Sequence, residues 1–229
     1  MTTVLLVRHG RTDANTAGVL AGWTPGVRLD ETGRAQATQL AERLAPVPLS
    51  AIISSPLERC KQTAGMLRDG RRGLRVRTDR RLGEVRYGEW EGRELRELGK
   101  EPLWKTVQAH PSAVRFPGGE SLRELQARAV TAIRDWNAEL GTDATYLVCS
   151  HADVLKAIVA DALGLHLDLF QRIQIDPCSL TVIRYTDMRP FVVRQNDRGG
   201  YVDDLLPAPK RKRKRRSGGS DAVVGGGTG

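Results

Sequence analysis

The chain is poor in cysteine, in aromatic residues and in long apolar runs. Its 229 residues hold three cysteines, Cys60, Cys149 and Cys178, far apart and without C-x-x-C spacing, which argues against a disulfide framework and a zinc knuckle. Each is expected to be a small packed residue in a reducing compartment. No apolar stretch reaches the ~20 residues of a membrane helix, and residues 1–7 are too short and lack the basic flank of a secretory signal. The expected location is therefore cytoplasmic, with no membrane partner. Histidine is scarce too: His9, His110, His151 and His166 form no local metal-like pair, so no metal is expected. What remains, 40% hydrophobic and 28% charged residues, is ordinary for a soluble domain with a buried core, and the length suits one domain.

The formal net charge of +9 is unevenly spread. The seven basic residues of 210–216, set against one later acid, Asp221, leave the last twenty residues at +6 and residues 1–209 at +3. The expected organisation is a single folded domain over 1–205 and a disordered, basic and Gly-rich tail over 206–229, which cannot build a core. The run 210–216 has no interleaved aromatics and reads as a solvated tail, with salt-dependent nucleic-acid contact as a weak alternative. Seven arginines between 68 and 81 read as a solvated loop and edge strand. In residues 1–209 arginine outnumbers lysine 25 to 4, which suggests a GC-rich bacterial genome.

Hydrophobic patterning gives six strands, at 3–8, 51–54, 75–78, 145–149, 180–185 and 191–195. Leu57, Cys60, Ala64 and Leu67 follow one helix face, as do Leu122, Leu125, Ala129, Ile133, Trp136 and Leu140. Strands alternating with helices predict an α/β fold around a mostly parallel sheet. Capping boxes are predicted at Ser55-Pro56-Leu57-Glu58, Ser121-Leu122-Arg123-Glu124 and Ser150-His151-Ala152-Asp153. The first and last would aim helix N-termini at strand ends, the edge of an open sheet where anionic ligands bind. Between Gly92 and Gly119 the polar sequence predicts a small cap of short helices and loops. Its apolar and aromatic residues Leu103, Trp104, Val107, His110, Val114 and Phe116 are the candidates for substrate selection.

Arg8-His9-Gly10 closes the first strand and presents a cation and an imidazole at that edge. Alone the tripeptide says little, but further segments follow it: LVRHGRTDAN at 6–15, PGVRLDETGRAQA at 25–37, SSPLERCKQTA at 54–64, LGEVRYGEWEG at 82–92, FPGGES at 116–121 and VCSHADVLKAI at 148–158. In this order they resemble the histidine phosphatase superfamily, which includes the cofactor-dependent phosphoglycerate mutases and many small phosphomonoesterases. The resemblance spans roughly residues 3–195. It implies a three-layer, phosphoglycerate mutase-like sandwich and a phosphohistidine intermediate on His9. Arg8, Arg59 and His151 match positions that hold phosphoryl oxygens, and Glu84 matches the proton donor. Asn15 matches a position that contacts phosphate or orders the first loop, with a helix cap as the alternative. Guanidinium forks suit a reaction that consists mostly of positioning and charge stabilisation, so no metal is required.

Two departures bear on activity. Ala152 follows His151 where the family often has glycine, which leaves the imidazole in place. After Glu84 the chain has Glu89-Trp90-Glu91-Gly92 and then FPGGES in place of the Asn-Lys-rich stretch of the mutases, the form common in small phosphatases such as those acting on α-ribazole phosphate. The reading is a phosphomonoester hydrolase acting on a small phosphorylated metabolite. A phosphoglycerate mutase is the enzymatic alternative, and an inactive scaffold binding nucleic acid or partners through 210–216 is the non-enzymatic one.

Overall fold

The computed structural model describes residues 1–199 and 225. The basic run 210–216 and nearly all of the expected tail lie outside the described residues. Strands form at all six predicted places: β1 (Thr2–Arg8), β2 (Ala51–Ser54), β3 (Val76–Thr78), β4 (Thr145–Ser150), β5 (Leu180–Tyr185) and β6 (Pro190–Asp197). They make one sheet of order β3-β2-β4-β1-β5-β6. The first four run parallel, and β5 and β6 extend the sheet antiparallel.

The apolar run of β1 has no polar face because both sides of the sheet are covered. Leu5 and Val7 join Ile52, Leu147 and Cys149 against the helices α2 (Glu31–Leu44) and α3 (Glu58–Arg68). Val4 and Leu6 join Ile53, Tyr146 and Val148 against α6 (Leu122–Leu140) and α7 (Ala152–Ala162). This is the expected three-layer sandwich. Each fully buried Leu, Ile or Val contributes about 1.5–3 kcal/mol of apolar burial. All three cysteines are buried and free.

Of the three predicted capping boxes, one forms. Ser121 Oγ accepts from Glu124 N at 3.2 Å and Glu124 Oε2 accepts from Ser121 N at 2.8 Å, so α6 starts where expected. At the other two, tertiary partners take the side chains. The helix α3 begins at Glu58 after Leu57 with no side-chain cap, while Ser55 Oγ lies 2.8 Å from His151 Nε2. Ser150 Oγ donates to Leu82 O at 2.7 Å, and α7 begins after His151 without a side-chain cap.

The segment 92–119 holds α4 (Leu95–Leu98), α5 (Pro102–Ala109) and a 3-10 turn, Pro111–Ala113. Most of its apolar side chains are packed in the core. Trp104, Val107, Val114 and Phe116 are buried in the core on the α6/α7 side, with Trp90 stacked on Trp104 at 6.1 Å and edge-on to Phe116 at 5.3 Å. His110 is exposed. Aromatic burial, the largest hydrophobic term available to so short a segment, has claimed the selection candidates. The arginine-rich stretch is likewise more than a solvated run: Arg71 donates to Val47 O at 2.6 Å, Arg77 pairs with Glu139 at 2.7 Å and lies over the Trp136 ring, and Arg81 pairs with Asp79 and Asp135.

Candidate active site

Parallel register brings the ends of three strands together. Arg8 of β1 pairs with Ser150 of β4, and Ser54 of β2 pairs with Cys149. The residues that follow, His9, His151 and Ser55, therefore emerge side by side at the carboxyl edge of the sheet, and Arg59 reaches the same place from the first turn of α3. The turn after β1 is held against α2 through two glycines. A Cβ on Gly10 would meet Gly33 O at 2.5 Å, and one on Gly33 would meet Arg11 O at 2.0 Å, so the motif RHG requires the TGR of 32–34. Gly10 N also donates to Thr63 Oγ1 of α3 at 3.1 Å.

The site is buried: Arg8, His9, Arg59, Glu84 and His151 are at most 4% exposed. His9 Nδ1 lies 2.7 Å from Gly10 O, which can only accept, so Nδ1 carries the proton and Nε2 the lone pair. Arg59 Nε donates to that Nε2 at 3.2 Å. The same guanidinium donates through Nη2 to His151 Nδ1 at 3.2 Å and to Gly22 O at 2.9 Å. With Nδ1 accepting, His151 donates from Nε2 to Ser55 Oγ. The two imidazoles meet edge to face at 5.3 Å. Arg8 Nη1 donates to Ile175 O at 2.9 Å.

Burial, then the positive charges of Arg59 and Arg8, holds His9 well below the usual imidazole range. Burial, then Arg59 and His9, does the same to His151. Both rings are neutral at pH 7. Glu84 moves the other way: burial and then the charge of Asp153 raise it to about 7 against the pull of Arg59 and Arg8. Its Oε2 is 3.6 Å from His151 Nδ1. The pocket thus combines a neutral imidazole whose Nε2 lone pair meets only the Nε–H of Arg59, two guanidiniums, a second imidazole and a carboxyl group that holds a proton near neutrality. Such a set can attack an electrophilic phosphorus, bind its oxygens and protonate a departing oxygen.

Asn15 is held within its own turn. Its Oδ1 accepts from Thr12 N at 3.1 Å and from Thr12 Oγ1 at 2.9 Å, closing a capping box on the short helix α1 (Asp13–Ala17). Glu89 is exposed, whereas Glu84 is in the pocket. Three residues escaped the sequence reading. Trp23 Nε1 donates to Glu84 O at 2.7 Å; Arg128 of α6 donates to the carbonyls of Arg81, Gly83 and Glu84; and Ser55 anchors His151. Trp23 and Arg128 carry no local signal, because each acts on a segment about 44 to 61 residues away. Ser55 was legible only as a cap.

Among known proteins, the family model of the histidine phosphatase superfamily (branch 1) matches residues 4–198. A protein of Yersinia pestis (strain Pestoides F) named "Probable phosphoglycerate mutase GpmB" is 34% identical over 189 residues, covering 82% of this chain and 86% of its own length. Among solved structures, Bacillus stearothermophilus YhfR is 30% identical with a TM-score of 0.81, covering 86% of this chain and 98% of its own. The alpha-ribazole phosphatase of Shigella flexneri is 26% identical with a TM-score of 0.77, covering 87% and 98%. A mycobacterial glucosyl-3-phosphoglycerate phosphatase is 28% identical with a TM-score of 0.77, covering 85% and 98%. The six ordered sequence segments, the sheet that gathers their polar residues at one edge and these likenesses agree that the chain is an enzyme and belongs to the histidine phosphatase superfamily.

Proposed function

We propose that the protein hydrolyses a small phosphorylated metabolite, a phosphomonoester, through a phosphohistidine on His9. The observation that carries this reading is the tautomer of His9, with its lone pair on Nε2 against Arg59 and the raised Glu84 carboxyl alongside. In the first step Nε2 attacks phosphorus, the N–P bond forms and the P–O ester bond breaks. The proton of Glu84 passes to the leaving oxygen. In the second step water attacks phosphorus, its proton goes to the Glu84 carboxylate, and the N–P bond breaks to release phosphate and neutral His9. Arg8, Arg59 and His151 bind the equatorial oxygens, where charge is concentrated. Asn15 orders the loop after His9 and contacts the phosphate from it. The chemistry assigned to these side chains calls for no metal or cofactor, and the buried free cysteines fit a cytoplasmic enzyme.

The test is phosphate release from a panel of sugar phosphates, phosphoglycerates, α-ribazole phosphate, nucleotides and an aryl phosphate, with excess chelator, comparing wild type with His9→Ala. Chelator-resistant release that disappears in the variant is expected. Normal turnover by His9→Ala would sink the mechanism. The relative named a phosphoglycerate mutase favours a second reading, in which the phosphoenzyme passes its phosphoryl group to a sugar acid faster than to water. Conversion of 3- to 2-phosphoglycerate with a bisphosphate primer, without matching phosphate release, would replace hydrolysis by that reading.

A further inference from the structure

One buried acid near the pocket enters the mechanism above only through its charge, which helps keep the proton on Glu84. Asp153, at the start of α7, is 1% exposed. Its Oδ2 accepts from Tyr87 Oη at 2.9 Å, and its Oδ1 lies 3.4 Å from Lys156 Nζ, which in turn donates to Gln171 Oε1 at 3.0 Å. Tyr87 and Lys156 are also buried. A carboxylate placed there is costly unless its lone pairs are met.

The chain's own Gly225 shows what else Asp153 meets. Gly225 N donates to Asp153 Oδ2 at 3.0 Å, while Gly225 O accepts from Arg8 Nη2 at 3.4 Å. The acceptor Asp153 Oδ2 and the donor Arg8 Nη2 are thus spanned by the backbone of one amino acid. The space is narrow: a Cβ on Gly225 would meet Leu20 Cδ1 at 3.1 Å and Tyr87 Oη at 3.7 Å. A ligand that puts a phosphate oxygen at Arg8 would have its next few atoms run toward Asp153, between Leu20 and Tyr87. On the proposed mechanism those atoms belong to the leaving group.

Resting on that reading, we propose that Asp153, Tyr87 and Lys156 form the leaving-group subsite, and that Asp153 selects phosphomonoesters with a hydroxyl on the carbon next to the ester carbon, as in polyol and sugar phosphates. The donor is uncharged for two reasons. The group observed at Oδ2 is a neutral N–H, and an ammonium there would share the carboxylate with Lys156 Nζ, 3.4 Å from Oδ1, on a ligand that also reaches Arg8. A hydroxyl donates to Oδ2 without that repulsion, and an alkyl ester without it leaves the carboxylate short of a donor, the situation that gives strong discrimination.

The test compares glycerol 3-phosphate, n-propyl phosphate and phosphoethanolamine on the full-length protein. In wild type, kcat/KM for glycerol 3-phosphate should exceed that for n-propyl phosphate at least tenfold, with phosphoethanolamine below glycerol 3-phosphate. In Asp153→Ala the ratio of the first two should fall to within about twofold, and Asp153→Asn, which keeps an acceptor oxygen, should lie between. A merely structural role for Asp153 would lower both rates and leave their ratio intact. A wild-type ratio near one, a ratio unchanged in Asp153→Ala, or a preference for phosphoethanolamine would each overturn the proposal. Calorimetric binding of the same three esters to His9→Ala separates the two readings. Preferential binding of glycerol 3-phosphate without turnover by wild type would leave the subsite standing and remove the hydrolase; turnover without preference would do the reverse. If neither variant at Asp153 folds, the wild-type ratio and the binding series still decide.

Discussion

The phosphoryl side of the pocket and the side facing the leaving group are built differently. Arg8, His9, Ser55 and His151 sit at or just beyond the ends of adjacent parallel strands, and Arg59 one helical turn beyond. Their positions follow from sheet register, which is stiff and specified by both buried faces. Glu84, Trp23, Tyr87 and Leu20 come from loops held by long-range contacts: Trp23 and Arg128 on the carbonyl of Glu84, and Leu20 N donating to Arg93 O at 2.9 Å. The first side repeats with little latitude, and the second can be changed by loop substitutions. Phosphoryl binding thus rests on the rigid edge, while the leaving-group side combines loop residues with Asp153 and Lys156 of α7, and it is the loops that can vary when one scaffold serves many substrates.

The comparison is broken most severely at its rigid side. His9→Ala should lower phosphate release by at least ~10⁴-fold, since removing a nucleophile abolishes the covalent route; burst and steady-state kinetics on an aryl phosphate would show both phases gone. Across the pocket, Glu84→Gln should cost roughly 10²- to 10⁴-fold on alkyl esters and less on an aryl ester, whose leaving group needs little protonation. Wild-type kcat/KM on alkyl esters should also fall as pH rises through about 7, where Glu84 loses its proton, and this fall should be missing from the variant's profile.

Trp104→Ala tests whether the segment 92–119 serves packing or selection. Truncating a buried tryptophan should destabilise the fold by about 3–5 kcal/mol in chemical denaturation, while the rank order of substrates stays as in wild type. A changed rank order would return Trp104 to the pocket. A smaller effect concerns stability against pH. Glu84 is raised from 4.5 to about 7 on folding, so the stability it contributes is complete below 4.5 and is lost as pH rises through 7, a loss of about 3 kcal/mol. The stability of Glu84→Gln relative to wild type should therefore improve by that order between pH 4 and pH 8. His9 and His151 have the opposite sign, being depressed on folding: their contribution is present above 6.5 and lost as pH falls, equally in both proteins. Last, Ser121→Ala should cost about 1 kcal/mol, the ordinary worth of an N-cap, with kcat/KM unchanged.

How much was legible differs between the two sides in the same way. Strands β1, β2, β4 and β5 could be read to within a residue because runs of buried β-branched and aliphatic residues end at polar residues. His9, Arg59, Glu84 and His151 could be found because the ordered segments that hold them resemble the histidine phosphatase superfamily. The capping box at Ser121 was equally legible, and it forms because Arg115 takes only the Oε1 of Glu124, at 2.6 Å, and leaves Oε2 to Ser121. At Ser55 and Ser150 the same local signal misleads, since His151 Nε2 and Leu82 O are within reach of those hydroxyls. The aromatics of 92–119 were open to two readings, and only the packing of both Trp104 and Phe116 on Trp90 decides between them.

By itself, then, the sequence determined the α/β alternation, the order of the strands along the chain, and which residue types stand at the strand ends, because these rest on local periodicity and on motifs of a few residues. The tertiary structure decided which strand lies beside which, the tautomer and neutrality of His9, the proton on Glu84, and the placing of Asp153 against Tyr87. Those properties arise from burial and from contacts between residues dozens of positions apart, where no local pattern carries the information.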